Sequence, residues 1–145
     1  MPDVNDTRAV VHELLRRMAG DDPDGTAELF SDDVDWAVSW PPGHHPSAPW
    51  IRPRHTRSDM ADLFRELREF HVPEKRRVST PTILVDGSDA VVLCDIEQTS
   101  RATGRSFTSM VALRLTVDGG QVVGYHVYED SLAIARAHSG ASADE

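Results

Sequence analysis

Hydrophobic residues recur at two different periods along this chain, and the changes of period divide it into elements. Val10, Val11, Leu14, Leu15 and Met18 fall at the three- and four-residue steps of one helical face, which predicts a helix from Thr7 to Ala19 with Asp6 or Thr7 as its N-cap. Asp22-Pro23 then places a capping side chain before a proline at the first helical position. Ala27, Leu29 and Phe30 supply the apolar part of a short second helix ending near Ser31. From Asp33 the period becomes two: Val34, Trp36, Val38 and Trp40 share one face of a strand whose other face carries Asp33, Asp35, Ala37 and Ser39.

Pro41, Pro42, Pro46, Pro49 and Pro53 forbid a continuing strand or helix, so the stretch to Pro53 is expected to be an ordered surface loop, with Trp50 folding it back onto the body. Thr56 or Ser58 can cap a third helix, along which Met60, Leu63, Phe64, Leu67 and Phe70 repeat at helical spacing until Pro73 stops it. Four strand-like segments follow, at about Arg76 to Val85, Asp89 to Ser100, Ser106 to Val117 and Gln121 to Glu129. They are joined by Asp- and Gly-rich turns that suit hairpins. A short helix from Asp130 to Ala137 closes the order, with Asp130 and Ser131 at its start. The pattern is α+β, an antiparallel meander after helices and one early strand. No repeat or linker divides it, so 1–138 reads as one domain and 139–145 as a flexible tail.

Charge narrows the partners. A formal net charge of −9 opposes polyanions, and no basic stripe is visible, so neither nucleic acid nor an anionic membrane surface is expected. The longest apolar run, Ala90 to Cys94, is too short to span a bilayer, and no leader pattern opens the chain, which points to the cytoplasm. Cys94 stands alone among apolar strand neighbours, so it reads as a buried thiol and not as part of a disulfide or metal cage. His44, His45 and His55 lie in the Pro-rich loop without the spacing that aims two rings at one ion, and no metal is expected. No Gly-rich phosphate loop or nucleophile elbow is present, and no cofactor is expected.

Several strings carry a family resemblance. Gly20-Asp21 through Leu29-Phe30-Ser31-Asp32-Asp33-Val34, Trp50 through Arg54, Thr103-Gly104-Arg105-Ser106-Phe107 and Tyr125-His126-Val127-Tyr128-Glu129-Asp130-Ser131 occur in order over about residues 7 to 137. In this the chain resembles the nuclear transport factor 2-like superfamily, in its SnoaL-like, ketosteroid isomerase-related branch. The resemblance implies a cone-shaped, curved, mixed or antiparallel sheet packed against three helices around a pocket for a small, largely apolar molecule. It also implies isomerases, cyclases, dehydratases, epoxide hydrolases and plain binding proteins alike, because one fold hosts many chemistries. The family's catalytic residues do not carry over. The isomerase aspartate falls at Val38 and the first-helix tyrosine near Glu13. The epoxide hydrolase Arg and Asp positions fall at Cys94, Ile96 and Val127, and the cyclase acid again lies nearest Val127.

If Val127 faces the pocket as the resemblance implies, a period of two brings Val123, Tyr125 and Glu129 to the same face and turns His126 and Tyr128 outward. Glu129 is then the remaining acid or base, its charged form disfavoured by Trp36, Trp40 and Tyr125; the alternative is a rim carboxylate paired with an arginine. His126 becomes a general base if a bulge exchanges the faces, and otherwise joins Leu93, Leu113 or its neighbours and Tyr128 in an outer surface that pairs two copies into a homodimer. Candidate catalytic residues are therefore Glu129, Tyr125 and His126. The ligand-lining set is Trp36, Val38, Trp40, Trp50, Cys94, Ile96 and Val127, with Arg54, and beside it Arg52, available as a clamp for a carboxylate or carbonyl. The leading reading is a cofactor-independent acid/base enzyme acting on a small apolar metabolite: an isomerase, a cyclase or an epoxide-opening hydrolase. A non-catalytic ligand-binding protein and a dimeric interaction module with tryptophans filling the cone stand as alternatives.

Overall fold

The first helical stripe folds as α1, Val4–Ala19, in a computed structural model that describes residues 4–139. Its apolar face buries Val11 and Leu14 completely. Thr7 is not the cap but lies within the helix, fully buried, where its Oγ1 donates to the Gly87 carbonyl at 2.8 Å. Helix α2, Pro23–Ala27, is capped by Asp22, whose Oδ1 accepts from the Gly25 N–H at 3.0 Å. It ends earlier than the apolar run suggested, because Phe30 belongs to the next element.

Strand β1 runs Phe30–Val38 and pairs in parallel with β6, Gln121–Tyr128. Phe30 stands opposite Val122, and its fully buried ring packs on those of Phe64 and Tyr125, with centroids 5.9 and 5.7 Å away. Trp40 lies two residues past the strand end and is 8% exposed. In the loop that follows, Ala48 and Trp50 are buried, so the segment is anchored as expected. Helix α3, Arg57–Phe70, begins at a reciprocal cap: Thr56 Oγ1 accepts from the Asp59 N–H, and Asp59 Oδ2 accepts from the Thr56 N–H, each at 3.1 Å. Met60, Leu63 and Phe64 form its buried stripe, and the helix stops before Pro73, which opens one turn of 3-10 helix, Pro73–Lys75.

The segment from Arg76 to Val85 is not one strand. It divides into β2, Arg77–Val78, and β3, Thr82–Asp86, both paired antiparallel to β4, Asp89–Thr99. The cause is local: Pro81 has no N–H for the ladder, and the register slips by one residue between the Val78–Ile96 and Thr82–Leu93 pairs. The β3–β4 turn needs Gly87, whose φ of 63° a side chain would resist. Strand β5, Ser106–Asp118, completes a sheet ordered β1-β6-β5-β4-β2, and α4, Ser131–His138, closes the described chain, capped by Asp130 accepting from the Ala133 N–H at 3.0 Å. This is an α+β arrangement of a six-stranded mixed sheet and four helices. Beyond Ser139, the tail expected over 139–145 lies outside the described residues. Among the described residues, no helix is long and apolar enough to cross a membrane.

Alternation along β5 sorts the sheet's two faces. Leu113, Leu115 and Val117 are buried on the inner one, which corrects the expectation that Leu113 joins the outer surface. A bulge at Val123 shifts the parity of β6: Val122, opposite Val117, is the buried inner residue, and Val123 does not line the interior with Tyr125.

Candidate functional site

The inner face of the curved sheet, helices α1 and α3 and the Ser79-Thr80-Pro81 segment enclose a cavity of about 480 Å³. That volume is within the range of small-molecule pockets. Alternate residues of four strands face it: Trp36 and Val38 of β1, Cys94 and Ile96 of β4, Val111 and Leu113 of β5, and Tyr125 and Val127 of β6. Leu63, Phe64 and Leu67 close it from α3, and Trp50 closes it from the loop. Most of this wall is apolar, so each polar group on it has consequences.

Glu129 is the acidic group on the sheet side of the wall. It follows the last residue of β6, where Ser39 holds its backbone: the Glu129 N–H donates to Ser39 Oγ at 2.9 Å, and the Ser39 N–H donates to the Val127 carbonyl at the same distance. The Trp40 indole Nε1–H donates to Glu129 Oε2 at 2.7 Å. Burial raises the carboxyl above its ordinary value, partly opposed by this indole bond, which favours the charged form. Among the described residues Glu129 makes no ion pair, so the rim salt bridge does not form. Oε1 has no protein partner among them either.

Tyr125 lies 4% exposed between the Phe30 and Phe64 rings. Burial, and secondarily the charge of Glu129, push its phenol upward, so it remains a proton donor throughout the neutral range. Burial likewise raises the Cys94 thiol, which keeps it from being a thiolate nucleophile.

Beside the cavity stands an aromatic cluster with two histidines. The rings of His71 and His138 are 4.7 Å apart, and Trp50 packs edge-on to them at 5.1 and 4.8 Å. Each Nδ1 lies against a helix carbonyl, Leu67 at 2.7 Å and Ile134 at 2.9 Å, and a carbonyl only accepts; the proton is therefore on Nδ1. Both Nε2 atoms are buried and unpartnered lone pairs. Burial depresses both imidazoles, His71 to about 4. A histidine whose folded value is depressed binds its proton more readily when unfolded, so its stability contribution is complete above its unfolded value and is lost as pH falls toward the folded one. From an unfolded value near 6.5, the loss from His71 should reach about 2 to 3 kcal/mol by pH 4.5. Urea unfolding at pH 7 and pH 4.5 checks this. The difference between the two should shrink by that amount in His71→Asn, which keeps a donor near the Nδ1 position and removes the titration; an unchanged difference would refute the assignment.

The structure places the other expected residues differently. His126 is on the outer face, its Nε2 3.0 Å from Asp35 Oδ2, because the β6 bulge lies before Tyr125 and leaves the later alternation intact. Trp40 does not line the cavity; it reaches the site only through Glu129 and is packed by His45 at 5.1 Å. Arg54 is no clamp. At 1% exposure its guanidinium sits 2.8 Å from Glu66 Oε2 and donates to the Trp50 carbonyl at 2.8 Å, locking the loop onto α3. Arg52 also pairs with Glu66. His71 and Arg76 line the cavity and were missed. The signals for both were present: His71 continues the Phe64–Leu67 stripe at four residues, and Arg76 shares the parity of Val78. Among the described residues no group of three His, Cys, Asp or Glu side chains is arranged to hold a metal.

Comparison with known proteins agrees with this geometry. The family model described as a SnoaL-like domain matches residues 11–125. A comparison with curated protein sequences gives no match. Among solved structures, an NTF2-like protein from Burkholderia xenovorans LB400 is 20% identical with a TM-score of 0.79, covering 96% of this chain and 100% of its own. A protein of ketosteroid isomerase-like fold from Catenulispora acidiphila, solved with trimethylamine, is 16% identical with a TM-score of 0.71, over 94% and 95% of the two chains. A candidate polyketide cyclase from Xanthomonas campestris is 11% identical with a TM-score of 0.75, over 93% and 98%. At these identities the structural likeness speaks for the fold alone. With its family model spanning most of the sequence, the chain belongs to the SnoaL-like domain family, and it shares its fold with NTF2-like proteins.

Proposed function

We propose that the protein is a cofactor-independent acid/base enzyme that binds a small, largely apolar metabolite in the cone and moves a proton with Glu129. The observation that carries this reading is one carboxyl group raised by burial on the wall of an apolar cavity, with one oxygen fixed by Trp40 and the other free. In its charged form Glu129 accepts a proton from bound substrate, and in its neutral form returns it. Burial shifts Glu129 toward its neutral form, the direction that general acid/base work requires of a carboxyl group. The Tyr125 phenol, which stays protonated and has no protein hydrogen-bond partner among the described residues, is suited to donate to an oxygen on which charge develops. That pairing fits an isomerisation or an aldol-type cyclisation; it also fits hydrolytic opening of an epoxide, in which Tyr125 donates to the ring oxygen as its C–O bond breaks and Glu129 takes a proton from the water that adds to the carbon.

A second reading, a silent binding protein, is favoured by Val38, Ile96 and Val127 at the positions where the resemblance puts the family's acids. The tryptophan-filled module is disfavoured, since Trp36 and Trp50 stand on the wall and leave the cavity open. Native mass spectrometry of the purified protein tests the common part of both pocket readings. A bound small molecule, displaced on denaturation, is expected; a ligand-free protein that also binds nothing from an apolar metabolite library would contradict them.

The sheet's outer face supports a homodimer. Leu93, Ala112 and Tyr128 stand side by side across β4, β5 and β6, and Met110, 80% exposed, adjoins them. Sedimentation at micromolar concentration should give a dimer that Met110→Asp with Tyr128→Asp converts to monomer. A monomeric parent protein would overturn this assembly.

A further inference from the structure

Arg76 is the cavity's unanswered charge. It lies between the 3-10 turn and β2, and it lines the cavity together with Val78 and the Ser79-Thr80-Pro81 segment. Among the described residues its guanidinium has neither an ion-pair nor a hydrogen-bond partner, in a chain of net charge −9 where most other arginines are paired. The other charged groups on the wall are accounted for. Arg68 pairs with Asp21 at 2.8 Å, Asp22 caps α2, and Glu129 is bonded to Trp40. Burial lowers Arg76, so its guanidinium is partly desolvated although the residue as a whole is exposed.

This geometry points to a ligand that is an apolar molecule carrying one carboxylate, held by Arg76 while its reacting carbon faces Glu129, which lines the same cavity. A guanidinium offers a planar fork of N–H donors that matches a carboxylate bidentately, and in an apolar wall that pairing gives orientation as well as affinity. Without such an anchor, a small apolar body can enter a cone of this size in many poses, and only some of them present a proton to Glu129. The inference rests on the pocket reading above and refines its substrate class.

The test uses a matched pair of probes, 1-naphthylacetate and 1-naphthylacetamide, titrated by isothermal calorimetry into the full chain at constant ionic strength. The acid is expected to bind about tenfold or more tightly than the amide, the usual scale for a charge-assisted pair. Arg76→Gln should erase that preference while leaving amide affinity within about twofold, and Arg76→Lys should keep part of it. Arg77→Gln, a neighbouring arginine whose side chain is 83% exposed outside the cavity, should leave it intact. Equal binding of both probes, or a preference that survives Arg76→Gln, overturns the anchor and leaves the pocket reading standing. Binding of neither overturns both.

Discussion

Glu129→Gln is expected to lower turnover by about a hundredfold or more, the usual scale for loss of a general acid or base, with ligand affinity changed only a few fold. Glutamine keeps the shape and can still accept from the Trp40 indole at 2.7 Å, so the wall is preserved and only the titration is lost. The variant also has a signature that owes nothing to activity. Burial raises the folded carboxyl, so its contribution to stability is complete below the unfolded value and declines as pH rises through the folded one. Glu129→Gln should therefore lack that decline and gain stability relative to the parent on the alkaline side, as read by urea unfolding at pH 5 and pH 8. A variant with full activity would leave the silent binding protein as the better reading.

Trp50→Ala should cost about 3 to 5 kcal/mol, the range for deleting a buried aromatic ring. The ring is 3% exposed and is gripped by Phe70, His71 and His138 at 5.4, 5.1 and 4.8 Å. It also anchors a proline-rich loop that has little else inside the core besides Ala48 and the Arg54–Glu66 pair. Trp36 is only half-buried and faces open cavity, so Trp36→Ala removes fewer packed contacts and should cost under about 2 kcal/mol while weakening ligand binding more. Equal losses of stability for the two variants would mean that Trp36 is core and that the cavity is smaller than described.

Local periodicity is enough to read the stripes that build α1 and α3 and the β4–β5–β6 meander, because each depends on spacing within one element; the pocket-facing of Cys94, Ile96 and Val127 comes from the family resemblance, and a period of two carries it from Val127 to Tyr125. Glu129 follows from the same step, two residues beyond Val127. What escaped depends on relations between elements. Arg54 reads as an exposed loop arginine until Glu66, on the following helix, is brought beneath it; only then does it become a buried structural ion pair. The bulge at Val123 and the break at Ser79 to Pro81 alter parity without altering composition. Phe30 reads as helical in the sequence because an apolar residue just before a change of period fits either neighbour. Its place in β1 is set by parallel pairing with a strand near the other end of the chain.

Whether the cone holds a proton-transfer carboxyl group is decided by a pH titration of the glutamate side-chain carboxyl carbons, followed by NMR in protein labelled at that carbon. One resonance should titrate clearly above the ordinary glutamate range, be absent from Glu129→Gln and respond to a bound ligand. If every glutamate carboxyl titrates within the ordinary range, or if the shifted resonance persists in Glu129→Gln, Glu129 is not the group described and the acid/base reading of this cavity fails.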